Sequence, residues 1–585
     1  MFETAQQDET FDNAVPVVVV ASPGRDRLFM GHSDFAGLGG FTVDAATQSE
    51  VLVVAQATQD GQIHLSNTNP IYPPCSFPVS DAWKVAQIPE AYGKRNWDSK
   101  VWSSYIKGAL AYILSSRFPE HGLVQKTLNV TGSDHKQGLS FLVSSAGALG
   151  LSASGGQSSS AALTGGLIFC MNKIFNWDFT LDLLAQSDFG EHFLGLFNGA
   201  ADKMAQLNAH RNKVTVIQAL PERLLRTISF PSTISVLLAD CPTPRLTTQR
   251  GQQWLMSNFD PAHAALISEW AQSILARFGS VSYTKAVEVL TETLEAIVSG
   301  VITEACISAA ESSVLLSALS AGRSTSYSYG LLREFCDGGA LATSSCGNEQ
   351  IASHLRGPGN NQNRYNLLFR MLKLIPERYE QHFTKADGTT DKRVLCLRKT
   401  TLYGLSELER GYAYLRTLEA IAESSVQVDE NQHRKRLITL CVQSHNADKC
   451  CHDYRRLKMV EETKLSSAEE EPNLYPHFCF TPWNNDPRSR VNDSTIDRWI
   501  SEGVSMVDTV GGYERSIPEI DEMADELSRE FEDRAAMRVS AAGLGGRVCI
   551  HAFAEVADEV GKYLETRGWK VRSVHPGSAT QFLNC

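Results

Sequence analysis

The hydrophobic pattern of the first half of the chain alternates between short β-rich runs and longer apolar stretches with helical spacing. Residues 15–21, with four consecutive valines, predict a buried strand, and residues 41–46 and 51–56 predict two more. Residues 101–114 predict a helix. Residues 140–146 predict a strand leading into a Gly/Ser loop. Helices are expected over 161–174 and 180–189, and strands over 214–218 and 234–239. Beyond that the helical period dominates, at 262–278, 283–299, 405–422 and 434–443. Two polar stretches interrupt it: 344–364, rich in Gly and Asn, and 463–494, rich in Glu, Asn and Pro, which reads as a surface loop or insertion. The end of the chain returns to mixed elements: a helix over 517–531, strands at 537–540 and 548–553 around a glycine loop, a helix over 555–567 and a strand at 570–574. No internal repeat is visible.

One stretch stands apart from this pattern: Gly155-Gly156-Gln157-Ser158-Ser159-Ser160-Ala161, followed by an apolar run. Glycines let a backbone approach a ligand with no Cβ in the way. A glycine turn that feeds a helix N-terminus offers free N–H groups and the positive end of the helix dipole to an anion. The stretch reads as a phosphate cradle or, alternatively, as a Gly/Ser linker. It is not a Walker P-loop, because no Gly-Lys-Ser/Thr follows the glycines.

Composition narrows the partners. The 585 residues are enough for a large core and at least two domains. The 43% hydrophobic and 21% charged content is that of a globular protein. A net charge of −12 argues against nucleic acid as the main partner, since neutralising phosphates needs a basic face. It leaves ATP open, which local donors bind. Thirteen scattered cysteines read as reduced, mostly buried thiols of a cytoplasmic protein. The cluster His445, Cys450, Cys451 and His452 fits no common zinc spacing. Residues 1–13 are polar and acidic, unlike a secretory signal, and the run 15–21 is too short to cross a membrane.

Four segments in order give the loop a context. The first is Ser22-Pro-Gly-Arg25-Asp-Arg27-Leu-Phe-Met30-Gly31-His32-Ser-Asp34-Phe35, with Gly39-Gly40-Phe41 after it. The second is the Gly/Ser loop. The third runs from Gly190-Glu191-His192 to Gly199-Ala-Ala-Asp202. The fourth is Met537-Arg-Val-Ser-Ala541-Ala-Gly543-Leu-Gly545-Gly546-Arg-Val548. Together they resemble the signatures of the GHMP kinases, most of all the galactokinase branch. Lesser segments agree: Trp102-Ser-Ser-Tyr105-Ile-Lys107-Gly108, Ser444-His445 with Tyr454, Ser516-Ile-Pro-Glu-Ile-Asp521, and His575-Pro-Gly-Ser-Ala579. Residues 250–400 and 457–512 show little or no likeness.

The resemblance implies a two-domain α+β fold with the active site in the cleft between the domains. Residues 1–240 would form the N-terminal domain, and residues 241–585 the C-terminal domain with helical insertions. It implies ATP as co-substrate, Mg²⁺, and a monosaccharide as acceptor. Asp202 takes the place of the catalytic aspartate that accepts the proton of the sugar hydroxyl; read from spacing alone it is equally a helix-cap residue. Arg25 takes the place of the arginine that supports that aspartate and the transferred phosphate. Ser160 and Glu191 match the Mg²⁺ ligands, a hydroxyl and a carboxylate suiting a hard octahedral cation; the plain alternative for Glu191 is a solvated helix residue. Gly155, Gly156, Gln157, Ser158, Ser159, Ser160 and Ala161 would bind ATP, together with Gly543, Gly545 and Gly546 of the late loop, which otherwise is a β-turn. Asp34, His32 and Gly31 would face the sugar. Arg27 reads as a surface ion pair.

Some positions depart from the galactokinase pattern. Gly31 stands where galactokinases carry a glutamate, and Met30 where they carry a glycine. Loss of that hydrogen-bond acceptor leaves a substrate hydroxyl unpaired, at a cost of ~1–3 kcal/mol. Galactose is therefore joined by L-arabinose, L-fucose and a uronic acid as candidate acceptors. Gln157 replaces an apolar loop residue, Ala541 a glycine, and residues 36–38 are inserted. The expected reaction is transfer of the γ-phosphoryl group of Mg·ATP to the anomeric hydroxyl. The competing reading is a non-catalytic sugar or nucleotide sensor on the same fold.

Overall fold

The computed structural model describes residues 4–5, 8–31, 41–132, 136–146, 150–151, 157–196, 199–218, 223–278, 280–323, 361–377, 379–384, 390–423, 427–450, 491–540 and 543–583. Helices and sheets are mixed in an α+β arrangement, as expected. The chain separates into two compact units. One comprises Met1–Phe29, Phe41–Phe230 and Val574–Cys585, the other Met30–Gly40 and Pro231–Ser573.

The first unit is built on one sheet. Its strands are β1 (Val18–Phe29), β2 (Phe41–Thr58), β3 (Gln62–Asn67), β4 (Cys75–Pro78), β5 (Gly138–Ser144), β6 (Lys213–Gln218) and β7 (Arg223–Ser229). β1 pairs antiparallel with β2, β2 with β5, and β5 parallel with β3. The sequence pattern suggested two strands at 41–46 and 51–56. They are one 18-residue strand, whose first residues pair with β6 and whose last pair with β5. β1 begins three residues later than the valine run suggests and continues through Pro23-Gly24. Register shifts at Pro23/Arg25 and Arg27/Phe29 absorb the proline, which has no N–H to give the ladder. A short strand, Gln581–Phe582, covers the free edge of β1.

Helices α1 (Trp102–Leu114), α2 (Ser159–Ile174) and α3 (Ala201–Asn208) bring apolar residues to a common core. That core joins Val53, Phe141, Ile106, Leu110, Leu167, Ile168 and Met204 with the strand residues around them. The helix expected over 180–189 is two pieces: Leu181–Ala185, capped by Thr180, then a 3₁₀ segment Gln186–Phe193. Glycines set how closely this segment lies on α1. A Cβ at Gly108 would sit 2.5 Å from the Gly190 carbonyl oxygen, and one at Gly190 would sit 2.5 Å from the backbone of Ala109.

The second unit carries the sheet β11–β12–β8–β13, with β8 at Ile234–Asp240, β11 at Ala535–Val539, β12 at Arg547–Phe553 and β13 at Lys570–Val574. A separate hairpin pairs β9 (Tyr379–Thr384) with β10 (Thr390–Leu395). β8, which the sequence reading grouped with the N-terminal half, pairs along its whole length with β12. Long helices fill the rest: α4 (Pro261–Phe278), α5 (Ser280–Val298), α6 (Leu397–Glu423), α7 (Gln427–Asp448) and α8 (Pro518–Phe531). α6 is buried on nearly every side, which makes it the centre of this unit. Its Glu407 accepts from Arg410 Nε at 2.9 Å and from Ser444 Oγ at 2.6 Å, tying α6 to α7. The polar stretch 344–364 lies outside the described residues up to 360, and 463–494 up to 490; helices start at Asn361 and Asp493, within their last residues.

Gly190 meets backbone of α1 at 2.5 Å and lies beside the site described below. Gly190→Ala should therefore lower stability by roughly 1–3 kcal/mol through overpacking against α1. Denaturant unfolding of the variant beside the parent protein measures this; an unchanged midpoint contradicts the contact.

Candidate active site

Arg25 and Arg27 are two residues apart on β1, and alternation puts them on one face of the strand. Both are buried. Arg27 lies directly opposite Asp44 of β2 in the ladder and donates to its Oδ1 from Nε at 3.1 Å. Arg25 Nε is 3.6 Å from the same oxygen. Both guanidinium groups then reach Asp202, in the first turn of α3. Arg25 Nε donates to Asp202 Oδ1 at 2.8 Å and its Nη2 to the same atom, and Arg27 Nη2 adds a third bond at 3.1 Å. Ser158 Oγ donates to the other oxygen, Oδ2, at 2.5 Å. Two cations thus stand between two carboxylates. Arg27 is not the surface ion pair that its position in the sequence suggested: strand alternation gives it the same partners as Arg25.

The two carboxylates differ in environment. The Asp44 side chain is fully buried, whereas that of Asp202 is 25% exposed and open to a ligand. Burial pushes the Asp44 carboxyl up, against the charges of Arg27 and Arg25. For Asp202 burial acts the same way, but Arg25, Arg27 and the Ser158 hydrogen bond outweigh it and hold the carboxyl below its ordinary value.

The Gly/Ser segment is strapped to β1 beside this cluster. The Gln157 carbonyl accepts from Arg25 N at 3.1 Å, and its buried side chain donates to Asp26 Oδ2 at 3.2 Å. Ser158 has a left-handed backbone, φ 54°, uncommon for a residue with a Cβ. Its carbonyl is held by Gln206 Nε2 at 3.1 Å. α2 starts at Ser159, so Ser159, Ser160 and Ala161 form its first turn. Gly155 and Gly156 lie outside the described residues.

Glu191 is on the 3₁₀ segment, one residue after Gly190. The Ser160 side chain stands close enough to its carboxylate to favour the ionised form, so the two residues expected to share a metal are neighbours. Burial first, and the nearby Asp188 second, push the Glu191 carboxyl up to about 8. Asp188 itself is raised to about 7, by burial and by Asp202, against the pull of Lys203. Lys203 is fully buried, with Nζ 3.5 Å from Asp188 Oδ1. Glu191 is thus not the solvated helix residue of the plainer alternative.

The remaining candidates belong to the other unit or fall outside the description. Gly31 ends β1's continuation in a turn; a Cβ there would meet the Arg515 guanidinium at 2.6 Å. Arg515 is paired with Asp448 at 2.8 and 2.9 Å. Gly543, Leu544, Gly545 and Gly546 are four successive residues with positive φ, so the late loop is no two-residue turn. It is bound to Arg515 through Leu544 N and to residues 241–246 through Cys241, Thr243 and Leu246. His32 and Asp34 lie outside the described residues, as do Cys451 and His452. No group of three His, Cys, Asp or Glu able to hold a metal occurs among the described residues, and Cys75, Cys170, Cys241, Cys306 and Cys441 are free thiols. No helix of the described residues is long and apolar enough to cross a membrane.

Sequence reasoning missed Asp26, Asp44, Asp188 and Lys203. A signal existed for one of them: Asp44 is the lone charge in the strand run 41–46, and such a charge is buried only with partners.

The raised carboxyls have a consequence for stability. Between about pH 4.5 and pH 8 the folded protein retains a proton on Glu191 that the unfolded chain has released. Stability is therefore lost as pH rises through this window. In buffer free of divalent cations, Glu191→Gln should flatten the fall in unfolding free energy between about pH 5 and pH 8. Urea titrations at several pH values give the slope, and an identical slope in both proteins contradicts the burial of this carboxyl.

Known proteins give this geometry a relative. The chain is 24% identical to the galactokinase of Schizosaccharomyces pombe over 216 residues, 36% of this chain and 38% of that one. A crystal structure of Lactococcus lactis galactokinase complexed with galactose aligns over 100% of this chain and 98% of its own, with 14% identity and a TM-score of 0.47. The Methanococcus jannaschii mevalonate kinase aligns over 97% and 100%, with 10% identity and a TM-score of 0.39. No family model matches the chain. The chain is thus similar in sequence to a galactokinase over 216 residues, 38% of that protein's length.

Proposed function

We propose that the protein is an ATP-dependent sugar kinase that phosphorylates the anomeric hydroxyl of a monosaccharide. The observation that carries this reading is Asp202: a partly exposed carboxylate gripped on one oxygen by two buried arginines, beside the N-terminus of a helix preceded by glycines.

In this reading Asp202 Oδ1 is saturated by Arg25 and Arg27, which fixes the plane of the carboxylate. Oδ2 accepts from Ser158 and has a lone pair left for a sugar hydroxyl. The sugar oxygen attacks the γ-phosphorus, the bond from that phosphorus to the β,γ-bridging oxygen breaks, and ADP departs. The hydroxyl proton passes to Oδ2. A carboxylate held below its ordinary pKa is a weak base, which suits a loose transition state in which positioning and charge matter more than proton abstraction. Arg25 and Arg27 keep Asp202 ionised, and Arg25 also anchors the Gly/Ser segment through its backbone N–H.

The donor set fits Mg²⁺. Ser160 and Glu191 supply one hydroxyl and one carboxylate, and a cation that keeps waters and phosphate oxygens needs no larger protein cage. Once bound, Mg²⁺ neutralises charge on the phosphates. The chain's own part is to hold the two ligands on α2 and on the 3₁₀ segment. The amides at the start of α2 face the phosphates, and Gly543, Gly545 and Gly546 serve the nucleotide from their loop. Gly31, His32 and Asp34 face the sugar, for which galactose, L-arabinose, L-fucose and a uronic acid are the candidates.

ADP release measured across a panel of free monosaccharides tests the reading. One or more sugars should support turnover, and Asp202→Ala should reduce kcat by about 10²-fold or more while the protein stays folded. Unchanged turnover in the variant contradicts the role of Asp202. Sugar binding without turnover on any sugar would instead make the protein a sensor.

A further inference from the structure

Lys203 follows the candidate catalytic aspartate directly in the chain, yet it points away from solvent and is completely buried. Burying an ammonium group carries an effective penalty of several kcal/mol. An apolar side chain would fill the same space without it, so what the lysine adds is its three N–H donors. Two of them make hydrogen bonds, and the charge faces a carboxylate. Nζ donates to Thr164 Oγ1 at 2.9 Å and to Ser187 Oγ at 2.9 Å, and stands 3.5 Å from Asp188 Oδ1. Its stem lies against Gly165, within 3.5–3.6 Å of where a Cβ would be.

These partners close a ring through the site. Thr164 Oγ1 passes its own proton to the Ser160 carbonyl at 2.9 Å. The Ser160 side chain stands close enough to the Glu191 carboxylate to favour its ionised form. Glu191 shares its 3₁₀ segment with Ser187 and Asp188, and both of these return to Lys203. Lys203 is adjacent to Asp202 on α3, a helix of only 8 residues. One ammonium therefore sets three short elements against each other: the first turn of α2, the 3₁₀ segment and the first turn of α3.

We propose that Lys203 is a positioning residue that fixes the Ser160–Glu191 pair in register with Asp202. This rests on the kinase reading above for the roles of those three residues. A displacement of about 1 Å at such a site costs about 10²-fold in rate, and supporting contacts behind a metal ligand are typically worth 10–100-fold in metal affinity or activity. Lys203 touches neither reacting atoms nor metal ligands directly.

The test removes the ammonium without stranding its counter-ion. The double variant Asp188→Asn/Lys203→Met eliminates both charges, and Thr164→Val cuts the ring with no change of charge. Circular dichroism and thermal melting report folding. Mn²⁺ binding in the presence of a non-hydrolysable ATP analogue, followed by electron paramagnetic resonance, reports the metal pair independently of turnover. Both variants should bind Mn²⁺ about tenfold or more weakly, and kcat should fall with little change in the sugar KM. Parent-like Mn²⁺ affinity in the folded double variant overturns the proposal, because Lys203 then only neutralises Asp188. If the double variant does not fold, Thr164→Val decides, and parent-like Mn²⁺ affinity there overturns it equally. A parent protein that binds Mn²⁺ with the nucleotide analogue but turns over no sugar refutes the kinase reading and leaves the comparison of affinities decisive for Lys203. A parent that binds no Mn²⁺ overturns both.

Discussion

Two guanidinium groups held between two carboxylates are the constraint around which the first unit is arranged. Arg25 and Arg27 are buried, and so is Asp44. In a medium of low dielectric none of these charges is tolerable alone, and losing one member leaves the others uncompensated. The cluster therefore dictates local structure. β1 must stay extended through Pro23-Gly24 so that both arginines share a face. β2 must run past β1 far enough to set Asp44 across from Arg27. α3 must begin where Asp202 meets both guanidinium groups.

The same neighbourhood holds carboxylates of opposite character. Asp202 is kept ionised by two cations, while burial pushes Glu191 up to about 8 and Asp188, paired with a buried lysine, up to about 7. Environments that drive neighbouring carboxyls apart assign them different tasks. A permanently charged carboxylate orients a hydroxyl. In the kinase reading proposed above, a carboxyl whose ionisation is disfavoured until a cation arrives suits a metal that comes and goes with the nucleotide. Both arise from the same short stretch of sequence, and it is the surroundings that separate them.

Much of the fold was legible. Valine-rich runs and helical spacing identified β5, β6, β8, α1 and α2 to within a few residues, because their burial follows a regular period. The misplaced features have physical reasons. The strand pattern of β2 is interrupted by Thr47, Gln48 and Ser49, which bulge out of the ladder to β1 before it resumes at Glu50. The helix over 180–189 fails because close packing on α1 through Gly108 and Gly190 favours a tighter winding of the backbone. In the site, the motifs located Arg25, Ser160, Glu191 and Asp202. They were silent about Asp44, Asp188 and Lys203, whose importance comes from pairings across 15 to 39 residues of chain that no local pattern encodes.

The edge strand Gln581–Phe582 has a consequence for biosynthesis. It pairs with Val20 and Ala21 of β1, Thr580 bonds to Ser22 and Gln206 behind it, and Gly577 packs under the backbone of Thr47. The strand it protects emerges from the ribosome hundreds of residues before its cover, with the segment Pro231–Ser573 of the second unit made in between. During that interval the nascent sheet has an open edge beside four valines, the kind of surface that recruits other chains. Newly made protein is thus most exposed to aggregation in the time it takes to translate an inserted unit, and chaperone occupancy of the nascent chain should track the length of that insertion.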